Sequence, residues 1–401
     1  MRSAIVALLE KDPEITVCGT AKDGQDCLAK VAQLQPDIIT LDVEMPRMDG
    51  LATLKELMRT SPLPVLMVSS LTAEGAETTL KALEYGALDF IAKVSGADQE
   101  DFGVELRHKV KSIARRKAFL RLRYTRTNLE AGRSTSPSSS AGTSSSSSFG
   151  SARPSSLSSG LSKTSGTSSL SGSTSLASRQ SATARPSLRS SSPAASASAP
   201  AAGGIIRPCS GAHDIVVIGV STGGPPVVQK ILSALPANFP ACILVAQHMP
   251  ATFTGPFAKR LDSVCQISVT EAANGDKIQN GHAYVCPGGK HIGIQMRGPL
   301  PEVLVTTEPT SALYKPSVNV LMETAGNGLG RRVLGVMLTG MGSDGCEGAK
   351  VLKQRGGYLI AQNEASCVVY GMPKAVVDAG LADQILDVDD IAKAIMACVK
   401  G

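Results

Sequence analysis

The sequence predicts an α/β protein in which two doubly wound parallel-sheet domains are joined by a disordered linker. In both halves of the chain, short apolar runs alternate with amphipathic segments, a pattern typical of parallel strands covered on both faces by helices. Between the halves, residues 125–204 are mainly Ser, Thr, Ala, Gly and Pro with scattered Arg. Such a segment buries too little apolar surface to offset its chain entropy. We place the domain boundaries at 1–112, 113–204 and 205–401.

Composition narrows the class of protein. The chain has 401 residues and a hydrophobic content of 42%. It lacks an apolar stretch near the roughly 20 residues that a membrane span requires, so we expect a cytoplasmic protein without membrane insertion. The nine cysteines show no metal-binding spacing, and their odd number suits free, buried thiols in a reducing compartment. Because much of the net charge of +6 lies in the Ser-rich segment, it says little about a basic, nucleic-acid-binding face.

In the N-terminal half, four predicted strands alternate with four predicted helices. The strands are ITVCGTA (15–21), DIITLD (37–42), PVLMVSS (64–70) and ALDFIAK (87–93), and the helices span 2–12, 24–35, 50–60 and 75–86. This order fits a five-stranded doubly wound domain with one piece absent, because nothing precedes the first helix.

The C-terminal half repeats the pattern. Strands are predicted at 214–220, 241–247, 333–339 and 358–361, with helices after the first three. Residues 266–306 are richer in Gly and in alternating patterns, which predicts hairpin-like insertions. In a sheet of this type, ligands bind at the carboxyl ends of the strands.

The first of these strands ends in a small turn, IGVSTGG, that satisfies the pattern G-x-S-x-G with Ser221 at its centre. A strand-to-helix turn of this kind can expose a serine nucleophile, and the helix N–H groups beside it can stabilise an oxyanion. The same turn could hold a phosphate or be purely structural. Both phosphate-binding spacings, G-x-G-x-x-G and GxxxxGK[ST], are absent, but the pattern alone does not decide.

Two further strand ends supply the partners that a nucleophilic serine needs. His248 directly follows the predicted strand 241–247, and Asp344 lies in the glycine-rich loop after the strand 333–339. Each residue alone is more often structural, His248 as a strand-end histidine and Asp344 as a helix N-cap. Together with Ser221 they predict an acyl-transfer site with a base and an orienting acid. Neither HExxH nor a zinc-type Cys/His spacing occurs, so we expect no metal or other cofactor in this half.

The N-terminal half carries a second constellation at its strand ends. Asp42 ends one apolar strand, while Ser69 and Lys93 end the next two. A carboxylate that accepts a phosphoryl group needs a hydroxyl to bond the phosphate and an ammonium to balance its charge. These three residues therefore predict a phosphorylation site.

Seven stretches of this chain resemble the CheB-type chemotaxis protein-glutamate methylesterases, which carry a response-regulator receiver domain. They are LDVEMPRMDGL, PVLMVSSLT, GALDFIAK, IGVSTGG, QHMP, LTGMGSDG and EASCVVYGMP. They occur in both predicted folded units, and their combination is specific. The resemblance implies a flavodoxin-like receiver followed by a Rossmann-like esterase domain.

For the esterase domain, the resemblance implies Ser221 as nucleophile, His248 as base and Asp344 as orienting acid, with the backbone N–H of Met341 helping to hold the oxyanion. The implied substrate is a glutamate γ-methyl ester on the cytoplasmic helices of a chemoreceptor. Deamidation of certain receptor glutamines would use the same chemistry.

For the receiver, the resemblance implies Asp42 as phosphoacceptor, a histidine kinase as phosphodonor, and Ser69 and Lys93 as switch residues. Receivers also hold Mg²⁺ with two acidic residues that end a strand before the first helix, and this chain begins after that strand. Asp42 and the carbonyl of Glu44 are the matching metal contacts that are left. We expect that the start of the chain has been placed too late, since the other motifs are intact.

Two other functions compete with this interpretation. One is a phosphorylation-dependent binding adaptor with an inactive hydrolase-like domain, which activity of the C-terminal segment on methylated receptor would exclude. The other is a DNA-binding response regulator, although the C-terminal half shows no evident helix-turn-helix pattern.

Overall fold

The computed structural model describes residues 1–93, 99–115, 209 and 213–399. The predicted linker, 113–204, lies outside these ranges except for residues 113–115. Both predicted α/β units are present, and every sheet of more than two strands is parallel within the described ranges.

The N-terminal unit is a three-stranded parallel sheet covered by helices, in the order β1-β2-β3. Its strands are β1 (Ile39–Asp42), β2 (Val65–Ser69) and β3 (Asp89–Ala92). Its helices are α1 (Arg2–Leu9), α2 (Gly24–Leu34), α3 (Gly50–Thr60), α4 (Ala73–Glu84) and α5 (Gln99–Ala114). Asp23, Asp49 and Thr72 cap the helices α2, α3 and α4 through side-chain oxygens that accept backbone N–H groups.

The predicted strand at 15–21 is wrong, because the structure shows no strand there. A strand is held by hydrogen bonds to a neighbour, and this run pairs with none of the strands in the described sheet β1-β2-β3. Its apolar side chains are still used, since Ile15 and Val17 pack against the cluster that contains Leu8 and Leu106.

The C-terminal unit is built on a seven-stranded, fully parallel sheet in the order β12-β11-β10-β4-β5-β7-β6. The strands are β4 (Ile215–Val220), β5 (Cys242–Gln247), β6 (Ser268–Glu271), β7 (His282–Val285), β10 (Val333–Met337), β11 (Tyr358–Gln362) and β12 (Gln384–Leu386). The helices are α6 (Gly224–Ser233), α7 (Ala251–Val264), α8 (Val318–Leu329), α9 (Cys346–Gln354), α10 (Met372–Asp378) and α11 (Val388–Val399). The four strands predicted for this half are confirmed.

Both faces of this sheet are buried. Along β4, Ile215 and Val217 belong to one apolar cluster, while Val216, Ile218 and Val220 belong to the other. A strand that alternates between two dry faces needs apolar residues at every position, which explains its unbroken apolar sequence.

The prediction of hairpins across 266–306 is wrong for half of that region. The strands β6 and β7 pair in parallel and extend the main sheet, whereas only β8 (His291–Arg297) and β9 (Leu300–Thr306) form an antiparallel hairpin. The edge strand β6 exposes three of its four residues, whereas β7, one strand further in, is buried at three of its four.

The two units touch through α4 and β3 on one side and α7 on the other. Phe90 stacks on Phe253 with ring centroids 4.5 Å apart. Beside this stack, the Arg260 guanidinium pairs with the Glu84 carboxylate. The contact thus combines a buried aromatic stack with an ion pair.

The cysteines follow the predicted pattern only in part. Seven form no disulfide, and burial raises the pKa of the Cys242 thiol to about 12, so that thiol stays protonated. Cys209 and Cys398 instead form a disulfide, with their Cα atoms 4.9 Å apart. The expectation of free thiols is therefore wrong for this pair. The two cysteines are 189 residues apart in the sequence, so no local spacing indicates that they pair. None of the helices in the described ranges is long and apolar enough to span a bilayer.

Candidate active site

Ser221 and His248 lie side by side at the carboxyl edge of the seven-stranded sheet. In the β4–β5 pair, Val220 is opposite Gln247, so the next residue of each strand leaves the sheet at the same level. The His248 N–H donates to Val220 O at 3.0 Å, and the Ser221 N–H donates to Thr339 O at 3.0 Å. The backbone ladder thus extends past the strands and fixes the serine and the histidine relative to each other.

The turn after Ser221 is shaped by small residues. Gly223 has φ +73°, and a Cβ there would lie 2.3 Å from Val368 Cβ, so glycine meets both a conformational and a steric requirement. Gly340 lies against the serine, since a Cβ at that position would be 2.9 Å from Ser221 Cβ. The backbone that enters Met341 therefore passes close to the serine.

Two backbone N–H groups near Ser221 are available to a ligand. Within the described ranges, the N–H groups of Thr222 and Met341 donate no hydrogen bond. Thr222 follows the serine at the start of α6, where N–H groups have no intrahelical partner. Two free donors near a serine hydroxyl could hold a developing negative charge.

His248 is bound to Asp344 through one ring nitrogen. Nε2 lies 2.9 Å from Asp344 Oδ2, and the imidazole is mostly buried. Because an ionised carboxylate only accepts, Nε2 carries the proton, and Nδ1 is the nitrogen left to act as a base. Among the described residues, Ser221 Oγ makes no hydrogen bond, so the structure places the serine next to His248 without closing the last contact.

Asp344 is held by four donors on its two oxygens. Oδ1 accepts from Ser317 Oγ at 3.0 Å and from the Asn319 N–H at 3.1 Å. Oδ2 accepts from the Val318 N–H at 2.7 Å as well as from His248. The carboxylate thus caps α8, which explains why an N-cap and a catalytic acid were both plausible from the sequence.

The cap is reciprocal. Asn319, in the first turn of α8, accepts the N–H groups of Gly345 and Gly348 on its Oδ1 at 3.0 and 2.9 Å. Asp344 caps α8, and a residue of α8 caps α9, which begins just after Asp344. Gly348 permits this contact, because a Cβ there would lie 2.4 Å from Asn319 O.

The surroundings of Asp344 predict a pH-dependent stability. Burial would raise the pKa of Asp344, but His248 and the N–H groups of Val318 and Asn319 outweigh it and hold the pKa below the ordinary value. A carboxyl whose pKa is depressed by folding stabilises the protein above its unfolded-state pKa and loses that effect as pH falls through the folded value. We expect the free energy of unfolding of wild type to exceed that of Asp344→Asn at pH 7 and the difference to shrink below about pH 4. A difference that stayed constant down to pH 2 in urea titrations would contradict this.

Gln247 hydrogen-bonds to both the turn that carries Ser221 and the turn that carries His248. It is 2% exposed, and its Nε2 donates to Ser221 O at 3.0 Å and to His248 O at 3.1 Å. One side-chain amide thus bridges the backbone of the serine turn and that of the histidine turn.

Tyr314 covers His248 from a loop. The two rings stack with centroids 4.4 Å apart and planes 15° from parallel. Burial raises the pKa of Tyr314, and the negative charges of Asp344 and Glu105 add to the effect. A neutral phenol therefore packs on the imidazole and limits its rotation.

Sequence reasoning missed Gln247, Tyr314, Ser317 and the free N–H of Thr222. Ser317 carried a signal, since it precedes an apolar helical segment as an N-cap would. Gln247 ends a buried strand, where a polar residue is unusual. Tyr314 lies in a loop, and no sequence period marks it.

At the second predicted site, Asp42 and Lys93 meet at neighbouring strand ends. Lys93 Nζ donates to Asp42 Oδ1 at 2.7 Å, and the Glu44 N–H donates to the same oxygen at 3.1 Å. Ser69 is fully buried and bonds away from Asp42, to Thr79 Oγ1 at 2.6 Å and Gly75 O at 3.2 Å. The structure brings Asp42 and Lys93 together and leaves the Ser69 hydroxyl under α4.

Few protein oxygens remain for Mg²⁺ beside Asp42. Mg²⁺ takes hard oxygen ligands in octahedral geometry, and Asp42 Oδ1 already accepts two hydrogen bonds, which leaves Asp42 Oδ2 and the predicted carbonyl of Glu44. No group of three or more His, Cys, Asp or Glu side chains that could hold a metal occurs in the described ranges. We therefore derive no step through a metal at this site.

Comparison with known families agrees with both halves of the chain. The model of the CheB methylesterase matches residues 216–395, and the model of the response regulator receiver domain matches residues 1–100. The crystal structure of the CheB methylesterase catalytic domain of Thermotoga maritima is 38% identical and covers 46% of this chain and 98% of its own, with a TM-score of 0.45.

Relatives that align over nearly the full chain have a higher sequence identity. A protein-glutamate methylesterase/protein-glutamine glutaminase of Nitratidesulfovibrio vulgaris is 55% identical over 399 residues, which is 99% of this chain and 95% of the relative. The protein of the same name from Lawsonia intracellularis is 47% identical over 410 residues, covering 99% of this chain and 96% of the relative. This chain belongs to the protein-glutamate methylesterase/protein-glutamine glutaminase family of hydrolases and combines a receiver domain with a methylesterase domain.

Proposed function

We propose that this protein is a cytoplasmic chemotaxis hydrolase that removes γ-methyl esters from glutamates, and amides from certain glutamines, on the cytoplasmic helices of a chemoreceptor. The observation that carries the proposal is the His248–Asp344 hydrogen bond of 2.9 Å beside a serine at the neighbouring strand end. Residues 205–401 form the catalytic domain in this proposal, and residues 1–112 form the regulatory domain.

The mechanism follows from the free ring nitrogen. His248 Nδ1 takes the proton of Ser221 Oγ as that oxygen attacks the γ-carbonyl carbon, and Asp344 stabilises the imidazolium that forms. The oxyanion accepts the free N–H groups of Met341 and Thr222. His248 then protonates the leaving methanol or ammonia, and an incoming water, deprotonated by the same nitrogen, releases the glutamate and restores Ser221.

The contacts of the receiver support control by obstruction. Val368, which lies against the serine turn at Gly223, also packs on the receiver cluster that includes Phe102. Glu105 of α5 is close enough to raise the pKa of Tyr314, the residue stacked on His248. The receiver therefore reaches the mouth of the site. Phosphorylation of Asp42 by a histidine kinase, with Lys93 and a rotated Ser69 as its partners, would release this contact.

Covalent trapping tests the proposal directly. A fluorophosphonate probe bonds to a serine oxygen only where a base activates it and an oxyanion site holds the phosphonyl oxygen. We expect wild type to release methanol from methylated receptor fragments and to be labelled on Ser221 by peptide mass spectrometry. Labelling elsewhere, with turnover unaffected by the probe, would contradict the assignment.

A charge swap tests the obstruction. Arg260→Glu replaces the attraction to Glu84 by repulsion, so we expect turnover of the unphosphorylated protein to rise about two- to fivefold, the range that a partly exposed ion pair supports. The double variant Glu84→Arg with Arg260→Glu restores an attractive pair and should return turnover to the basal level. Equal turnover in all three proteins would mean that this contact does not hold the receiver over the site.

A further inference from the structure

The loop between β9 and α8 passes over the active site and is held at both ends by one buried residue. We call residues 309–317 the strap. His291, at the start of β8, is fully buried. Its Nδ1 accepts the Ser317 N–H at 3.0 Å, and its Nε2 lies 3.3 Å from Pro309 O. One imidazole thus joins the first and last residues of the strap.

The strap carries two contacts to the catalytic pair. Tyr314 stacks on His248, and Ser317 Oγ donates to Asp344 Oδ1 at 3.0 Å. A backbone bond from the Gly289 N–H to Lys315 O, 3.1 Å long, holds the middle. The strap therefore touches both the base and the acid, although His291 itself touches neither.

The hydrogen bonds determine the state of the His291 ring. A backbone N–H can only donate, so Nδ1 must be unprotonated, and the proton lies on Nε2, facing the carbonyl of Pro309. Burial lowers the pKa of His291, which agrees with a neutral ring. Only this tautomer satisfies both ends of the strap.

We propose that His291 is a positioning residue for the acyl-transfer reaction, because its ring closes the strap that keeps Tyr314 on His248 and Ser317 on Asp344. The proposal rests on the proposed function of Ser221, His248 and Asp344. A loosened strap would let the His248 ring turn away from Ser221, which lowers the rate of the chemical step more than it weakens substrate binding.

Two substitutions separate the acceptor at Nδ1 from the donor at Nε2. His291→Asn places Oδ1 where Nδ1 was and can still accept the Ser317 N–H. His291→Gln carries its amide farther out, so it can reach Pro309 O but leaves the Ser317 N–H without an acceptor. Loss of one buried hydrogen-bond acceptor corresponds to about a tenfold decrease in reaction rate.

We expect His291→Gln to lower kcat about tenfold with KM changed less than about twofold, and His291→Asn to keep more than about a third of the wild-type kcat. His282→Asn is the matched control: His282 bonds Thr270 Oγ1 at 2.9 Å and begins β7, away from the catalytic edge. That variant should match wild type. Equal kcat values in the two His291 variants, whether high or low, would overturn the proposal.

Two measurements keep the test decisive. Long-range ¹H–¹⁵N spectra of histidine-labelled protein should show His291 as the neutral tautomer protonated at Nε2, and protonation at Nδ1 would overturn the proposal. If His291→Gln fails to fold, Ser317→Ala cuts the strap from Asp344 and should also lower kcat; an unchanged kcat overturns the proposal. Ser221→Ala, run in parallel, reports separately on the proposed function, since retained activity there contradicts the nucleophile and not the strap.

Discussion

Ser221→Ala is expected to lower methyl-ester turnover by about 10⁴- to 10⁶-fold. Alanine has no oxygen to form the acyl-enzyme, and the remaining groups can only orient water and hold the oxyanion. Within the described residues the Ser221 hydroxyl makes no hydrogen bond, so we expect the thermal midpoint to stay within about 2 °C of wild type. Methanol release from methylated receptor fragments measures the effect.

Ser343→Ala is the matched control for that experiment. Ser343 lies exposed in the same glycine-rich loop as Asp344, next to the acid but outside its hydrogen bonds, and should retain full turnover. Near-normal turnover in Ser221→Ala would remove the serine from the mechanism. A wild-type protein that bound receptor but released no methanol would favour the phosphorylation-dependent adaptor.

Asp344→Asn is expected to lower kcat by about 10³- to 10⁴-fold at neutral pH. Each Asp344 oxygen faces two donors, so the amide nitrogen of asparagine would oppose donors in either orientation. When it faces His248, Nε2 must become an acceptor, and the proton moves to Nδ1, the nitrogen that should deprotonate Ser221. In that orientation the variant holds the wrong tautomer of the base, and in the other its amide nitrogen opposes the Asn319 N–H.

The same substitution also replaces one of the two oxygens that cap α8, so a control must separate catalysis from stability. Asp383 provides it, since its carboxylate accepts the Leu359 N–H at 2.7 Å and pairs with Lys353 away from the active site. We expect Asp383→Asn to lose stability but to keep its kcat, whereas Asp344→Asn loses both. A kcat in Asp344→Asn within tenfold of wild type, measured where both proteins are folded, would contradict an orienting acid.

The part of the fold that the sequence predicts is the part with strong periodicity. Buried strands such as β4 and β10 are unbroken apolar runs, and their helices have clear amphipathic stripes. The run at 15–21 is also apolar and strand-like in sequence. A strand forms only when it pairs with a neighbouring strand, and no local sequence pattern shows whether such a neighbour is present. The strands β6 and β7 are four residues each, too short to tell a parallel pair from a hairpin.

The candidate active site is likewise predictable only in part. The proximity of Ser221, His248 and Asp344 is predictable because parallel strands bring their carboxyl ends to one edge of the sheet. The direction of a hydroxyl, as at Ser69, depends on local packing that residue types do not encode. Tyr314 lies in a loop that has no regular period, and the roles we propose for Tyr314 and His291 rest on contacts between distant segments.

The reciprocal caps limit how this enzyme can be switched off. A regulator that displaced Asp344 would have to uncap both α8 and α9, which costs the stabilisation of two helix ends. A regulator that only covers the entrance to the active site leaves both caps intact. Inhibition by covering is a binding equilibrium between two folded surfaces, and its strength can change by single surface residues without any change in the catalytic groups. Relatives could thus differ widely in basal activity while their catalytic groups remain superimposable.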